Sequence, residues 1–292
     1  MYICATILST MTIQDVKIEF QTRLDKIYGK KEQESLRSLF FEHINISQID
    51  CVLRPETKLN KQQIQECADV LNRLEKHEPI QYILGYSYFY ELLFDVNPSV
   101  LIPRQETELL VHTIIQHHSH QAETILDLCT GSGCIAISLA HKLPKSEVYA
   151  VDISEKALRC AQHNADKHKT KVHFSQHDIL LTETYSTLPE CSIIVSNPPY
   201  VRQSEKEYMK TNVLKYEPSL ALFVPDAEVL LFYQAIAEIG TTRLKPNGHI
   251  YCEINEAFGK EVVEIFSEKE YKEVHLIHDL HDKERFVHAI KK

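Results

Sequence analysis

The tetrapeptide Asn197-Pro198-Pro199-Tyr200 follows directly after the apolar run CSIIV at residues 191–195. Because proline has no backbone N–H and a fixed φ, a strand formed by this run must end at the tetrapeptide. The Asn197 side-chain carbonyl and the Pro198 backbone carbonyl can each accept one N–H of a planar NH₂ group, and the Tyr200 ring can pack flat against it. With Pro199 keeping the turn rigid, the four residues are predicted to form a clamp for a planar amide or amine.

Such a clamp suits a reaction at the nitrogen of the bound group. An amide nitrogen is a poor nucleophile because its lone pair is delocalised into the carbonyl group. If two fixed acceptors hold both N–H bonds, the lone pair can be aimed at an electrophile without a strong general base. We therefore predict that Asn197, Pro198 and Tyr200 are catalytic and that the whole tetrapeptide contacts the substrate. An Asn-Pro-Pro sequence by itself is also typical of an ordinary turn, so its surroundings decide between the two interpretations.

A glycine-containing loop follows an earlier predicted strand, within ILDLCTGSGC at residues 125–134. Glycines allow the backbone to approach a ligand closely and to turn into a helix, whose amino terminus carries partial positive charge. Asp152 ends the next strand, where a carboxylate can bind both hydroxyls of a ribose. The alternatives are a tight turn for the loop and a helix cap for Asp152. The predicted cofactor site comprises Cys129, Thr130, Gly131, Ser132, Gly133, Asp152 and Asn197.

Two further carboxylates lie near this predicted site. Asp178 follows the third strand, where an acceptor can meet an adenine amino group, although the same position suits a plain turn residue. Asp127 lies inside the first strand and is expected to order the glycine loop rather than to contact the ligand. Of the two, Asp178 is therefore included in the predicted cofactor site.

Alternating strand and helix patterns position these residues. The strand-like runs are Thr124–Leu128, Glu147–Val151, Lys171–Phe174, Ser192–Val195, His249–Glu253, Glu273–Ile277 and Arg285–Ile290. The helical patterns are Ser132–His141, Ser154–His168, Glu228–Leu244 and Ala257–Lys269. This order predicts a Rossmann-like, doubly wound α/β sheet with ligands at the carboxyl ends of its strands. Only a short turn separates the last two strands, so the final pair is predicted to be antiparallel.

The first part of the chain has a different pattern. Val16, Phe20, Leu24 and Ile27 recur at steps of three and four residues, which is typical of an amphipathic helix. We expect a small helical domain over residues 1–78, a β-hairpin linker over 79–100 and the α/β domain over 101–292. Residues 1–10 have no signal-peptide pattern and are interpreted as a disordered or frayed extension, and Met1 and Met11 both remain candidates for the natural start.

Composition argues against several classes of protein. The chain is 43% hydrophobic and 25% charged, which is typical of a soluble globular protein, and its formal net charge of −9 argues against a phosphate-binding surface. No run approaches the ~18 apolar residues of a membrane span. The eight cysteines contain no CxxC pair and are predicted to be reduced thiols of a cytoplasmic protein. The tract HHSHQ at residues 117–121 is expected to face solvent at a helix end, and no metal site is predicted.

The motifs together resemble those of class I S-adenosylmethionine-dependent methyltransferases that modify planar nitrogens. DLCTGSG, AVD and NPPY follow one another in that order. More closely, PIQYILGYSYFY (79–90), VLIPRQETELLV (100–111) and YEPSLAL (216–222) resemble segments of the release factor glutamine methyltransferases, the PrmC/HemK family. The resemblance runs from roughly residue 75 to the end of the chain. A helical amino-terminal domain is also a feature of that family.

The resemblance implies S-adenosylmethionine as the methyl donor, with S-adenosylhomocysteine as the product. It implies that the acceptor is the GGQ glutamine of class 1 peptide chain release factors, which the helical domain would recognise. Two positions depart from the family pattern: Cys129 stands where glycine is common, and Ile179 stands where tryptophan often contacts adenine. Ile179 is therefore expected to give the base an aliphatic contact. Arg104 is a candidate for holding the cofactor carboxylate, and Glu217 is expected near the site.

Three functions remain open at this point. The first is methylation of a protein glutamine, in a release factor or, as in close relatives, in a ribosomal protein. The second is methylation of an exocyclic amine of DNA or RNA, against which the acidic charge argues. The third is a non-catalytic cofactor-binding protein, against which the intact Asn197 and Tyr200 argue. We expect a monomer without direct contacts to nucleic acid or membrane.

Overall fold

The computed structural model describes residues 10–269, 271–279 and 281–292. Apart from Thr10, the predicted extension at residues 1–10 lies outside the described residues. The chain folds into two units. Of the described residues, those from 10 to 85 together with Thr211–Tyr216 form one unit, and those within 86–210 and 217–292 form the other.

The helices and strands are numbered in chain order. The α-helices are α1 (Ile13–Leu24), α2 (Lys30–His43), α3 (Gln48–Leu53), α4 (Lys61–Leu74), α5 (Ile80–Leu84), α6 (Gln105–His118), α7 (Cys134–Lys142), α8 (Glu155–His168), α9 (Thr211–Tyr216), α10 (Leu231–Arg243) and α11 (Gly259–Glu268). The strands are β1 (Tyr86–Phe89), β2 (Leu92–Asp95), β3 (Thr124–Leu128), β4 (Glu147–Asp152), β5 (Val172–Gln176), β6 (Cys191–Ser196), β7 (Val201–Arg202), β8 (Phe223–Val224), β9 (Leu244–Glu253), β10 (Tyr271–His278) and β11 (Glu284–Lys291).

The helical unit has a core of its own. A capping box starts α1, in which the Asp15 N–H donates to the Thr12 hydroxyl over 3.2 Å and the Thr12 N–H donates to the Asp15 carboxylate over 2.8 Å. The periodic apolar residues of α1 are buried, and Phe20 stacks on Phe40 of α2 with ring centroids 5.5 Å apart. The predicted amino-terminal helical bundle is confirmed.

The hairpin is shorter than the predicted segment 79–100. Residues Ile80–Leu84 form α5, which ends at Gly85 with a φ of 84°. Strands β1 and β2 pair in an antiparallel register from Tyr86 opposite Asp95. Their turn consists of Tyr90 and Glu91, both with positive φ (45° and 67°), which is the twist that a two-residue hairpin turn requires. Glycine is the usual residue at such positions, so the sequence gave no signal that the turn lies here.

The second unit is built on a seven-stranded sheet of order β10-β11-β9-β6-β3-β4-β5. Parallel pairs join β9, β6, β3, β4 and β5 in that order, whereas β11 is antiparallel to both of its neighbours. The predicted Rossmann-like sheet with an antiparallel end is confirmed. Consecutive apolar residues of β3 pack on opposite faces of the sheet. Ile125 packs with α6 and α7, and Leu126 packs with α10 and α11.

One line of register partners across the sheet determines where the predicted site residues lie. Leu128 of β3 is the register partner of Val151 in β4 and of Ser196 in β6, and Ser196 is in turn the partner of Cys252 in β9. The Ser196 hydroxyl also donates to the Leu128 carbonyl over 2.7 Å. The next residues along these four strands are Asp152, Cys129, Asn197 and Glu253. The parallel register therefore places these four positions side by side at one edge of the sheet.

A search of the described helices finds none that is both long and apolar enough to cross a lipid bilayer.

The sequence predicted that the histidine tract at residues 117–121 faces solvent at a helix end. The structure differs from this prediction at His118. His117 is exposed, but His118 is buried against the sheet. Both rings lie within hydrogen-bond distance of the Tyr251 hydroxyl, at 3.0 and 3.1 Å, and the second nitrogen of His118 lies 3.2 Å from Glu123. The prediction was wrong for His118, because β9 contributes the polar hydroxyl that makes its burial tolerable.

His288 on β11 lies at the centre of this histidine cluster. Its ring stacks on Tyr251 with centroids 4.6 Å apart, and its Nε2 lies 2.9 Å from the His249 Nδ1. Burial, together with the nearby histidines 249, 275, 117 and 118, lowers the pKa of His288 to about 3. The folded state therefore favours the neutral ring.

We predict that His288 makes folding stability sensitive to acid. Since an unfolded histidine titrates near ~6.5, the unfolded chain binds the extra proton between about pH 3 and about pH 6.5, and stability falls as pH is lowered through this window. Acidification from about pH 7 to about pH 5 should destabilise the protein by roughly 1–2 kcal/mol more than it destabilises a His288→Phe variant. Urea unfolding at both pH values measures this difference.

The matched control is His120→Phe, at an exposed histidine next to the same cluster. Asp127, whose pKa burial raises to about 7, has the opposite pH dependence, but it is common to all three proteins and cancels. Equal acid sensitivity of the wild type and the His288→Phe variant would contradict the prediction.

Candidate active site

A cavity of about 510 Å³ opens at the carboxyl ends of the parallel strands. Its walls come from the segment before α6, the glycine loop after β3, the end of β4 and the residues after β5. Part of the tetrapeptide after β6, the segment 218–221 and Phe232 of α10 complete the lining. Most of the predicted site residues, which are far apart in sequence, are thus gathered at the position where doubly wound sheets bind ligands.

The glycine loop has a left-handed backbone at three positions. Cys129, Gly131 and Gly133 have φ values of 62°, 56° and 81°. A left-handed conformation is easy for glycine and strained for other residues, which gives a physical reason for the glycine that is common in the family at position 129. The Thr130 hydroxyl donates to Asp127 over 2.6 Å. Asp127 is fully buried and orders the loop from below.

The loop residues have two different surroundings. Cys129, Thr130, Gly131 and Ser132 line the cavity. At Gly133 an added Cβ would lie 2.8 Å from the Ile137 side chain and 3.0 Å from the Ala161 Cβ. Gly133 therefore allows close packing of α7 against α8, and it is not among the residues that line the cavity.

Asp152 lines the cavity, and each of its carboxylate oxygens accepts one hydrogen bond from the protein backbone. One oxygen accepts the Gly131 N–H over 2.9 Å and the other accepts the Ser154 N–H over 2.8 Å. Each carboxylate oxygen has a second acceptor site, so two ligand hydroxyls can still be bound. Burial raises the pKa of Asp152, against the effect of its backbone hydrogen bonds. The residue that caps α8 is Ser154, which accepts the Ala157 N–H.

Asp178 is both a turn residue and a wall residue. Its Oδ1 accepts the Leu180 N–H over 3.0 Å, and the residue lines the cavity together with Ile179. Ile179 is 4% exposed and is part of the core formed with α10 and α11, so one face of its side chain is fixed by packing.

The tetrapeptide after β6 contributes unequally to the cavity. Asn197 and Pro199 line it, whereas Pro198 is buried and is not among the lining residues. Tyr200 also lies outside the lining, and its hydroxyl donates to the Glu253 carboxylate over 3.0 Å. Burial raises the pKa of Tyr200 well above its usual value, so its phenol remains a donor.

Two residues of the site were missed by the sequence analysis. Thr107 on α6 donates from its hydroxyl to Glu253 over 2.6 Å and accepts from the Asn197 side-chain amide over 3.2 Å. Glu253 ends β9, and a carboxylate at the carboxyl end of a predicted strand was a signal that could have identified it. Thr107 gave no such signal, because its role depends on contacts with residues at least 90 positions away.

Glu217 joins two walls of the cavity. Its carboxylate, 1% exposed, accepts the Ile102 N–H over 3.1 Å and pairs with the Arg104 guanidinium over 2.7 Å. Arg104 lines the cavity, but this ion pair directs one of its amino groups toward Glu217.

The described residues contain no cluster of three or more histidine, cysteine, aspartate or glutamate side chains suited to a metal ion.

Comparison with known proteins relates this arrangement to characterised families. Residues 104–218 match the family model of the Methyltransferase small domain, and residues 17–85 match that of the PrmC N-terminal domain. A release factor glutamine methyltransferase of Flavobacterium psychrophilum is 44% identical over 282 residues, which cover 95% of this chain and 98% of the relative. One from Bacteroides thetaiotaomicron is 41% identical, over 91% and 95% of the two chains.

Among solved structures, a T. thermophilus 16S rRNA methyltransferase in complex with AdoMet and guanosine superimposes with a TM-score of 0.51. It is 17% identical, and the match covers 71% of this chain and 50% of that one, so it supports the fold alone. The two bacterial relatives, by contrast, match nearly the whole chain at high identity. This chain belongs to the family of release factor glutamine methyltransferases.

Proposed function

We propose that this protein transfers a methyl group from S-adenosylmethionine to the side-chain amide nitrogen (N5) of a glutamine, the GGQ glutamine of class 1 peptide chain release factors. The observation that carries the proposal is the position of Asn197, which lines the same cavity as the glycine loop and Asp152. The names of the relatives from Flavobacterium and Bacteroides support the choice of substrate.

The cavity fits S-adenosylmethionine by the chemistry of its walls. The spare acceptor sites of Asp152 suit the two ribose hydroxyls, and the Ile179 side chain offers an apolar surface to the adenine. Gly131 has no side chain and a φ of 56°, so the backbone can come close to the ligand there. Asp178 has one oxygen that is not engaged by the Leu180 N–H, and this oxygen can accept from the adenine amino group.

The protein contributes positioning to the reaction. S-Adenosylmethionine supplies a sulfonium-bound methyl group whose leaving group becomes neutral. Asn197 offers its Oδ1 to one N–H of the substrate amide, and we assign the second N–H to the Pro198 carbonyl. Tyr200, anchored through Glu253, is assigned to pack against the amide plane. Holding both N–H bonds directs the lone pair toward the methyl group, and no side chain has to remove a proton before transfer, because the methylated nitrogen releases one N–H proton to water afterwards.

Two other acceptors remain as alternatives. Glutamine of a ribosomal protein has the same side chain, so the clamp does not distinguish it from a release factor. An exocyclic amine of DNA or RNA also carries a planar NH₂, but the net charge of −9 disfavours binding to a phosphate backbone. The proposal also includes a cytoplasmic location and a monomeric state. Because the substrate is a protein of the translation machinery, no direct contact with nucleic acid is proposed.

We further propose that the helical unit recognises the release factor. A single glutamine side chain offers too little surface to select one protein, since stable contacts bury ~800 Å² on each partner. The helical unit exposes apolar side chains on α3, including Val52 and Leu53, which are 74% and 72% exposed. Exposed apolar residues close together are typical of protein-binding surfaces.

The first prediction tests the reaction. Wild-type protein incubated with labelled S-adenosylmethionine should methylate a release factor and should not methylate the same factor with its GGQ glutamine replaced by asparagine. Asn197→Ala should lower kcat by ~10²-fold or more and change cofactor affinity only a few-fold, because it removes a positioned acceptor. Equal losses of cofactor binding and turnover would instead identify a structural turn.

The second prediction concerns the ribose. Asp152→Ala removes a charged acceptor for two hydroxyls, each such hydrogen bond being worth ~1.5–3 kcal/mol, so cofactor affinity should fall by at least ~10-fold. Calorimetry with S-adenosylhomocysteine measures the change, and Asp166→Ala on the exposed face of α8 is the control. An unchanged affinity in a folded variant would remove Asp152 from the site.

The third prediction concerns the helical unit. Replacing Val52 and Leu53 by lysine should raise KM for the release factor by ~10-fold or more, with kcat and cofactor affinity nearly unchanged, because interface anchors act on association. The control replaces the exposed Gln116 and Ser267 of the catalytic unit by lysine and adds the same charge. If both double variants behave alike, α3 does not recognise the substrate.

A further inference from the structure

A buried chain of hydrogen bonds links Asn197 to Glu253. The Asn197 Nδ2 lies 3.2 Å from the Thr107 Oγ1, and that hydroxyl lies 2.6 Å from one oxygen of Glu253. The Tyr200 hydroxyl lies 3.0 Å from the other oxygen of the same carboxylate. Thr107 and Glu253 are 2% and 3% exposed, so the bond between them is shielded from solvent. This chain of hydrogen bonds includes Asn197 and Tyr200 of the tetrapeptide and two residues outside it, Thr107 and Glu253.

When Glu253 is ionised, the hydrogen bonds of this chain can run in one direction only. Two hydroxyls converge on Glu253, one on each oxygen, and an ionised carboxylate can only accept. Thr107 therefore uses its single proton toward Glu253, and its oxygen is left as an acceptor. Asn197 must then point its NH₂ group, and not its carbonyl, at Thr107.

This direction decides what the clamp presents to the cavity. Nitrogen and oxygen of an asparagine amide have nearly the same shape, so the hydrogen-bond partners decide which of them occupies each position. With Nδ2 held by Thr107, Oδ1 is the remaining polar atom of the side chain, and no group in the described part of the chain donates to it. The cavity is thus offered an acceptor.

We propose that Thr107 and Glu253 are positioning residues that fix the amide orientation of Asn197 and thereby make the site selective for glutamine over glutamate. The inference rests on the proposed function, because it assigns Oδ1 to the substrate amide. A glutamine side chain brings N–H donors to this acceptor, whereas a glutamate brings only lone pairs and is repelled. Without the chain, Asn197 could turn over and present its NH₂ group, which a carboxylate would bind.

The experiment compares binding of two ligands to variants at position 107. Thr107→Val keeps the shape of the side chain and removes both its donor and its acceptor, whereas Thr107→Ser keeps the hydroxyl and is the matched control. Calorimetry in the presence of S-adenosylhomocysteine gives the Kd of release factor and of the same factor with the GGQ glutamine replaced by glutamate. Circular dichroism melting and cofactor Kd check that each variant folds, and kcat is measured with the glutamine-containing factor.

We expect the ratio of the glutamate Kd to the glutamine Kd to fall by ~10-fold or more in Thr107→Val and to stay near the wild-type value in Thr107→Ser. kcat should fall by ~10-fold or more in the valine variant alone. A Glu253→Gln variant should also lower the ratio, because its amide can donate to Thr107 and release the threonine proton toward Asn197. This second variant tests the same chain without changing α6.

The possible failures are distinct. A folded Thr107→Val protein with the wild-type Kd ratio would overturn the positioning role, whatever its kcat. Loss of the ratio in Thr107→Ser as well would overturn it too, since the hydroxyl would then not be the group that matters. A wild type that binds release factor but transfers no methyl group would refute the proposed function, and the Kd ratios would still test the orientation of Asn197.

Discussion

The parallel register of β4, β3, β6 and β9 is the constraint on which the site depends. One row of partners crosses these strands, and the residue after each member of the row is Asp152, Cys129, Asn197 or Glu253. Parallel strands bring their carboxyl ends to the same edge, so Asp152, the glycine loop, Asn197 and the buried Glu253 become neighbours. A shift of one residue in β6 would move Asn197 off this row and turn its side chain to the other face of the sheet.

Buried carboxylates are the second common feature of the site. Burial raises the pKa of Asp127, Asp152 and Glu253, which reflects the cost of removing charged groups from water. Each of them is hydrogen-bonded: Asp127 by Thr130, Asp152 by two backbone N–H groups and Glu253 by two hydroxyls. Such groups are tolerated where they orient other residues, and here they orient the loop and the clamp.

The same chemistry occurs at Glu217, which is almost fully buried between Ile102 and Arg104. It ties the segment before α6 to the segment after the clamp, and both segments line the cavity. The buried carboxylates and the left-handed backbone of Cys129 are each unfavourable by themselves. The surrounding sheet and helices hold them in place. Neighbouring residues thus hold these groups in place, as positional catalysis requires.

The sequence alone predicted the order of strands and helices in the α/β unit, and it suggested the chemistry of the clamp. Apolar runs and proline chemistry defined the strands, and Thr124–Leu128 was predicted with the bounds it has. Tertiary structure decided what depends on distant partners. His118 is buried because Tyr251 lies 133 positions away, and the hairpin turns at Tyr90 and Glu91, where positive φ is required of residues that do not favour it. Thr107 is linked to Glu253 across 146 positions and to Asn197 across 90. A local sequence pattern indicates the conformation that a residue favours. It does not indicate which hydrogen-bond donors and acceptors will lie next to that residue in the folded protein.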